Sequence, residues 1–176
     1  MTRTSDLIQV RSLRPDEWGV WRDLRLQALA DSPDAFGETL DNAKQRRDTD
    51  WREFAAAATL PDRRILVAEH DTRPVGMALV RLSPTDSSHA NLYAMWVVPT
   101  ARGIGVGRAL VEAAREWAQS AGVTEITLHV TEGNERAKGL YRATGFVATG
   151  AREPLRPGAN LQTEVMVMRI ARGHVI

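Results

Sequence analysis

Ala90-Asn91-Leu92-Tyr93-Ala94-Met95-Trp96-Val97-Val98-Pro99-Thr100-Ala101-Arg102-Gly103-Ile104-Gly105-Val106-Gly107-Arg108-Ala109-Leu110 is the stretch whose reading decides the fold. Ala90 to Val98 is a long, mostly apolar run stopped by Pro99, the pattern of a central strand covered on both faces. Beyond the turn, Val106, Leu110, Ala113, Ala114, Trp117 and Ala118 recur on one helical stripe up to Ser120, and Gly122 closes it. A strand, a turn carrying Gly103, Gly105 and Gly107, and a helix opening at that turn present free backbone N–H groups to an anion. Glycine admits close approach where side chains would block it. The helix dipole adds partial positive charge at the same end, and Arg102 and Arg108 flank it, so a pyrophosphate is the natural ligand.

Other readings of such a loop compete. Glycine turns before helices also serve packing alone. A nucleoside triphosphate loop needs Gly-Lys-Ser/Thr at its end, whereas Gly107 is followed by Arg108-Ala109. A dinucleotide fingerprint wants a glycine at position 108, an early place in the fold and an acidic residue closing the next strand, which here ends His129-Val130.

Working outward, Leu7 to Arg11 reads as a first strand, and Pro15-Asp16-Glu17 starts a helix that carries Trp18, Trp21, Leu24, Ala28 and Leu29 to about Asp31-Ser32-Pro33. The turn-rich segment Pro33 to Glu38 precedes a second helix, expected over about Leu40 to Ala58. Arg64 to Glu69 and Val75 to Leu82 are strands joined by a short polar hairpin turn. After the glycine loop and its helix come a strand over Val123 to Val130, a helix over Asn134 to Thr144, and strands at Phe146 to Ala148 and Thr163 to Ile170. The order strand, two helices, three strands, helix, strand, helix, two strands mixes hairpins with helical crossovers. It predicts an α/β (α+β) fold with a mixed central sheet of about seven strands.

With 176 residues the chain fits one domain, expected over 1–170 with a tail at 171–176. Hydrophobic residues at 43% and charged residues at 26% match ordinary globular usage, which excludes a disordered or fibrous chain. A net charge of +1 from interspersed residues gives no field for nucleic acid or an anionic membrane. The absence of cysteine removes thiolate nucleophiles, disulfides and cysteine-ligated zinc, and no metal site is expected. Lys44 and Lys138 are the only lysines, which disfavours Schiff-base chemistry. The start Met1 to Asp6 shows no signal-peptide segment, and no apolar run reaches membrane-spanning length, so a cytoplasmic protein is expected.

The run Val98-Pro99, Arg102-x-x-Gly105-x-Gly107-x-Ala109-Leu110 resembles the acetyl-CoA-binding motif of the GCN5-related N-acetyltransferase (GNAT) superfamily. A second motif agrees: Asn134-x-x-Ala137-x-x-Leu140-Tyr141-x-x-x-Gly145-Phe146 is similar to that family's following helix and strand. The resemblance is sharp from about Leu92 to Phe146 and elsewhere rests on the order of elements. It implies the GNAT fold, in which two neighbouring parallel strands, here Leu92–Val98 and Glu125–Val130, splay apart to admit the pantetheine arm of acetyl-CoA. It implies cofactor contacts at Met95, Trp96, Val97, Arg102, Gly103, Ile104, Gly105, Val106, Gly107, Arg108, Asn134 and Tyr141. Asn134 also reads as an ordinary helix N-cap, and the two roles are compatible.

The activity implied is acetyl transfer from acetyl-CoA to a primary amine by direct attack in a ternary complex. A covalent acyl-enzyme lacks a nucleophile here, with no cysteine and no Gly-x-Ser-x-Gly elbow. By resemblance Tyr141 lies near the CoA sulfur and is the general acid, since a phenol of pKa about 10 can protonate a thiolate whose acid is near 8.5. Some relatives carry a base at the position of Asn91; others carry a glutamate where this chain has His129, which can accept a proton near neutral pH. His129 equally reads as a histidine on the polar side of a strand. Glu38, Phe36 and Tyr93 are candidate walls of the acceptor site, with Glu38 able to select or deprotonate the amine, and Glu153 to Asn160 a candidate cover. Trp18, Trp21, Trp51 and Trp117 are assigned to packing. A small-molecule or peptide amine is the expected acceptor, with aminoglycoside, polyamine, amino acid and protein N-terminus all open, and the resemblance allows a homodimer through the last strands. The alternatives are a non-catalytic acyl-CoA sensor or partner-binding module, and a nucleotide-binding protein.

Overall fold

On the strand Arg63–His70 (β2), Ile65 and Val67 enter a core on one face of the sheet while Leu66 and Ala68 enter a core on the other, because successive side chains of a strand point opposite ways. In this computed structural model, which describes residues 7–171, the sheet so covered has seven strands. Met1 to Asp6 and the expected tail beyond Ala171 lie outside the described residues.

The other elements are β1 (Ile8–Ser12), α1 (Trp18–Asp31), α2 (Leu40–Lys44), α3 (Asp48–Ala56), β3 (Arg73–Leu82), β4 (His89–Val97), α4 (Val106–Ser120), β5 (Glu125–Thr131), α5 (Glu135–Ala143), β6 (Val147–Pro154) and β7 (Gln162–Arg169). The strands lie in the order β1-β2-β3-β4-β5-β7-β6, and all pairs but β4–β5 are antiparallel. Val106, Leu110, Val111, Ala114 and Ala118 of α4 fill one core, as the helical stripe predicts. Trp21, Leu24, Ala28 and Leu29 of α1 and Trp51 and Ala55 of α3 fill the other, which bears out two tryptophans as packing residues.

Two expected elements differ. The single helix over Leu40 to Ala58 is two helices, interrupted at Gln45 to Arg47. The Asp50 carboxylate accepts the Arg47 N–H at 2.7 Å and so caps a new helix, while Arg46 turns its guanidinium onto Glu38 at 2.7 Å. The strand expected at Phe146 to Ala148 runs on to Pro154, although β6 is exposed throughout and carries no apolar alternation to announce itself.

The feature that positions the site is a parting of the central strands. β4 and β5 pair only through His89, Ala90 and Asn91 against Glu125, Ile126 and Thr127. Beyond Asn91 the two strands no longer bond. In β4, Ala94 and Met95 together oppose Ala78, between the pairs Leu79–Tyr93 and Met77–Trp96. This bulge sets Ala94 at φ 53°, a left-handed conformation that disfavours a residue with a Cβ, and bends β4 where it leaves β5.

Candidate active site

The turn after β4 builds one half of the site. Gly105 caps α4 at φ 100° and Gly103 sits at φ 79°, both in the backbone region that favours glycine. The first bond along α4 runs from Ala109 N–H to Gly105 C=O, so the amides ahead of it point out of the helix end. Gly107 serves packing: a Cβ there would stand 2.8 Å from Leu140 Cδ2, so a larger residue would have to displace the end of the Leu140 side chain where α4 meets α5.

These groups open into a cleft of about 450 Å³ lined by Met95, Trp96, Val97, Arg102, Gly103, Gly105, Gly107, Arg108, Asn134 and Tyr141. Ten of the positions implied by the family resemblance thus converge on one cavity. Ile104 and Val106 do not line it. Ile104 is half exposed at the tip of the turn, and Val106 is buried in the core, so Val106 can offer a ligand only its backbone. Asn134 caps α5, its side-chain oxygen accepting the Ala137 N–H at 3.3 Å, which leaves its amide N–H groups for the cleft. Arg136, unnoticed in the sequence, joins Arg108 at the cleft, two positions beyond Asn134.

Arg102 has a more specific place. Its Nε donates to Val97 C=O at 3.0 Å and its Nη2 to Asp31 Oδ2 at 2.6 Å. The same carboxylate oxygen accepts Ser32 Oγ at 2.7 Å and Trp96 Nε1 at 3.0 Å. The Ser32 hydroxyl, the Trp96 indole and the Arg102 guanidinium hold the Asp31 carboxyl at a pKa of about 2. Asp31 therefore ties the end of α1 to β4 and to the glycine turn.

A second cleft of about 410 Å³ lies beside the first and contains Phe36, Glu38, Tyr93, His129 and Tyr141 among its lining residues. Ala35, Met95 and Tyr141 belong to both. Tyr141 is 7% exposed, its ring meets Phe146 edge-on at 5.7 Å, and burial raises its phenol well above the ordinary value. Burial likewise raises the half-buried phenol of Tyr93. His129 Nδ1 lies 3.4 Å from Glu153 Oε2, so the expected cover loop begins with a carboxylate beside the expected base. Pro154 and Leu155 also line this cleft.

Glu38 stands at the opposite wall with its carboxylate shared by two arginines, Arg25 at 3.0 Å and Arg46 at 2.7 Å. Both oxygens of this carboxylate are thus engaged by guanidinium groups. Arg25 and Arg46 line the same cleft and were not singled out in the sequence. The signal for Arg25 is its place four positions after Trp21 on the stripe that α1 buries. Trp21, assigned to packing, both packs in the core and borders the cleft.

The family model described as the acetyltransferase (GNAT) family matches residues 22–146. The chain belongs to the GNAT acetyltransferase family. This GNAT protein is 30% identical over 150 residues to a mycothiol acetyltransferase of Frankia casuarinae, a match covering 80% of the chain and 41% of that relative. The chain spans less than half the length of the mycothiol acetyltransferases it matches. Among solved structures, a GNAT-family acetyltransferase from Streptococcus pneumoniae superposes with a TM-score of 0.81 at 20% identity, covering 94% of this chain and all of the other. The YncA protein of Salmonella typhimurium, solved with its cofactor acetyl-CoA, gives 0.78 at 17% identity, with coverage of 97% and 98%. These likenesses establish the GNAT fold expected from the two motifs. Among the described residues no helix is long and apolar enough to cross a membrane, and no cluster of three acidic or histidine side chains is able to hold a metal ion.

Proposed function

We propose that this GNAT protein is an N-acetyltransferase that moves an acetyl group from acetyl-CoA to a primary amine by direct attack. The observation that carries the reading is the meeting of two clefts, one lined by a helix N-terminus and arginines, the other by polar side chains, at Tyr141 and Met95. The free amides of the glycine turn, together with Arg108 and Arg136, suit the pyrophosphate of acetyl-CoA. Alternation along β4 aims Val97 N–H away from β3, because the adjacent Val98 N–H donates to Val75 C=O on the β3 side, so the opened edge suits an amide-bearing arm.

The bound donor supplies an activated thioester. The amine nitrogen attacks its carbonyl carbon, the carbon–sulfur bond breaks, and the acetyl group ends on nitrogen. His129, oriented by Glu153, takes the proton that the amine must lose, directly or through a water. Tyr141 gives a proton to the leaving sulfur. Burial keeps Tyr141 protonated, and the same apolar surroundings raise the proton affinity of the thiolate. Arg102 is a positioning residue in this scheme, holding the turn through Asp31. Phe36 and Tyr93 wall the acceptor, and Glu38 orders Arg25 and Arg46. A cytoplasmic location belongs to the proposal, as does a homodimer, supported by the open edge of β6.

Calorimetric titration with acetyl-CoA, followed by thiol release across a panel of amines, tests the reading. Binding with amine-dependent release is expected. Binding without release for any amine indicates the sensor, and a preference for ATP or NAD over acetyl-CoA rejects the assignment of the loop.

A further inference from the structure

Charge in the second cleft is divided between its walls. On the helical wall Arg25 and Arg46 share the single carboxylate of Glu38, which leaves one positive charge in excess. On the strand wall Glu153 stands beside His129, which leaves one negative charge while the imidazole is neutral. These are the charged residues that line the cleft.

The arginines also have donors to spare. Arg25 spends Nε and Nη2 on Glu38 Oε2, at 3.1 and 3.0 Å, and its Nη1 is buried with no hydrogen-bond partner. A buried guanidinium N–H without an acceptor is destabilising, and burial already depresses the pKa of this arginine. Arg46 reaches Glu38 through Nη2 alone, and its side chain is 40% exposed. Arg25 stacks over Phe36 at 4.8 Å and Arg46 over Trp51 at 5.0 Å, so both forks are held in place by aromatic rings.

We propose that the acceptor is an amine that also carries a carboxylate, an amino acid or a molecule ending in one. Its carboxylate lies against Arg25 and Arg46, its apolar body against Phe36 and Tyr93, and its amine at His129 and Glu153 near Tyr141. Arg46, which spends only Nη2 on Glu38 and is partly exposed, has guanidinium N–H groups left for a carboxylate oxygen. A polyamine is disfavoured by the same layout, because its second ammonium would meet the excess positive charge. This assignment rests on the acetyltransferase reading and narrows its acceptor.

Matched acceptors test it: phenylalanine against phenylalaninamide, and 6-aminohexanoate against hexylamine, compared by kcat/KM for thiol release. The acids are expected to lead by roughly 10- to 100-fold, the range for one charge-assisted hydrogen bond. In Arg46→Gln, chosen because the Arg25–Glu38 pair stays, the acid-to-amide ratio falls toward one. Melting temperature verifies that the variant folds. Calorimetric binding of N-acetylphenylalanine against its amide reads the same preference without turnover. Equal or better use of amides and alkylamines, or an unchanged ratio in Arg46→Gln, overturns the assignment while leaving the acetyltransferase standing. If no amine releases thiol, the acetyltransferase reading fails, and calorimetry still decides whether the cleft prefers the acid.

Discussion

Replacing Tyr141 by phenylalanine separates chemistry from folding more cleanly than any other change to this site. Among the described residues the Tyr141 hydroxyl has no hydrogen-bond partner, and its raised pKa has burial as its cause. Removing it breaks no bond within the protein. The ring keeps its edge-on contact with Phe146 and its place in the core, so stability is expected to change by no more than about 0.5 kcal/mol. Turnover behaves differently. A positioned general acid contributes about 10²- to 10⁴-fold, or roughly 3–5 kcal/mol of barrier. Tyr141→Phe should therefore lose kcat by that factor while KM for acetyl-CoA, which depends chiefly on the glycine turn with Arg108 and Arg136, stays within about threefold. Because burial raises the phenol, its ionisation should leave no alkaline limb in the wild-type kcat profile below about pH 10. The assay is continuous thiol release, with melting temperature measured on both proteins. A stable Tyr141→Phe enzyme that keeps wild-type kcat would refute the assignment of the acid, since nothing else in the substitution disturbs the site.

Two further outcomes follow from the geometry. His129→Ala, at an exposed position on β5, should leave stability within about 0.5 kcal/mol yet lower kcat/KM by at least about tenfold; an unaltered kcat/KM rejects His129 as the base. Asp31→Ala should lower stability near neutral pH by about 1 kcal/mol, a figure held down by solvent at a side chain 29% exposed. The Asp31 carboxyl has a folded pKa of about 2, depressed from its ordinary value, so its contribution is complete above about pH 4 and is lost as pH falls through about 2. The difference in urea midpoint between wild type and variant should narrow over that interval, and a constant difference would show that the carboxylate charge is not what holds the turn.

The glycine turn, the helix after it and the Asn134-to-Tyr141 motif were legible because each is a local pattern. Helical spacing set the buried stripe of α4, and the apolar run before Pro99 marked the central strand. The break between α2 and α3 escaped because the residues from Leu40 to Ala58 contain no proline or glycine before the cap at Asp50 acts. The far end of β6 escaped because it is exposed on every residue and shows no alternation. Arg46 and Arg136 read as ordinary surface arginines until their surroundings are known, and Arg25 is marked only by its spacing from Trp21.

By itself the sequence determined where the backbone offers an anion its free amides, which helix faces are buried, and which family the two motifs resemble. Those properties depend on neighbours within a turn or two of chain. Only the tertiary structure decided that Arg102 is held by Asp31, 71 positions away, that one carboxylate is shared by Arg25 and Arg46, and that Glu153 stands beside His129. The parting of β4 from β5, expected from the resemblance, is borne out, and the structure adds that Tyr141 lines both clefts beside it. Ion pairs and burial depend on distance in space, and folding sets that distance by packing all the elements at once.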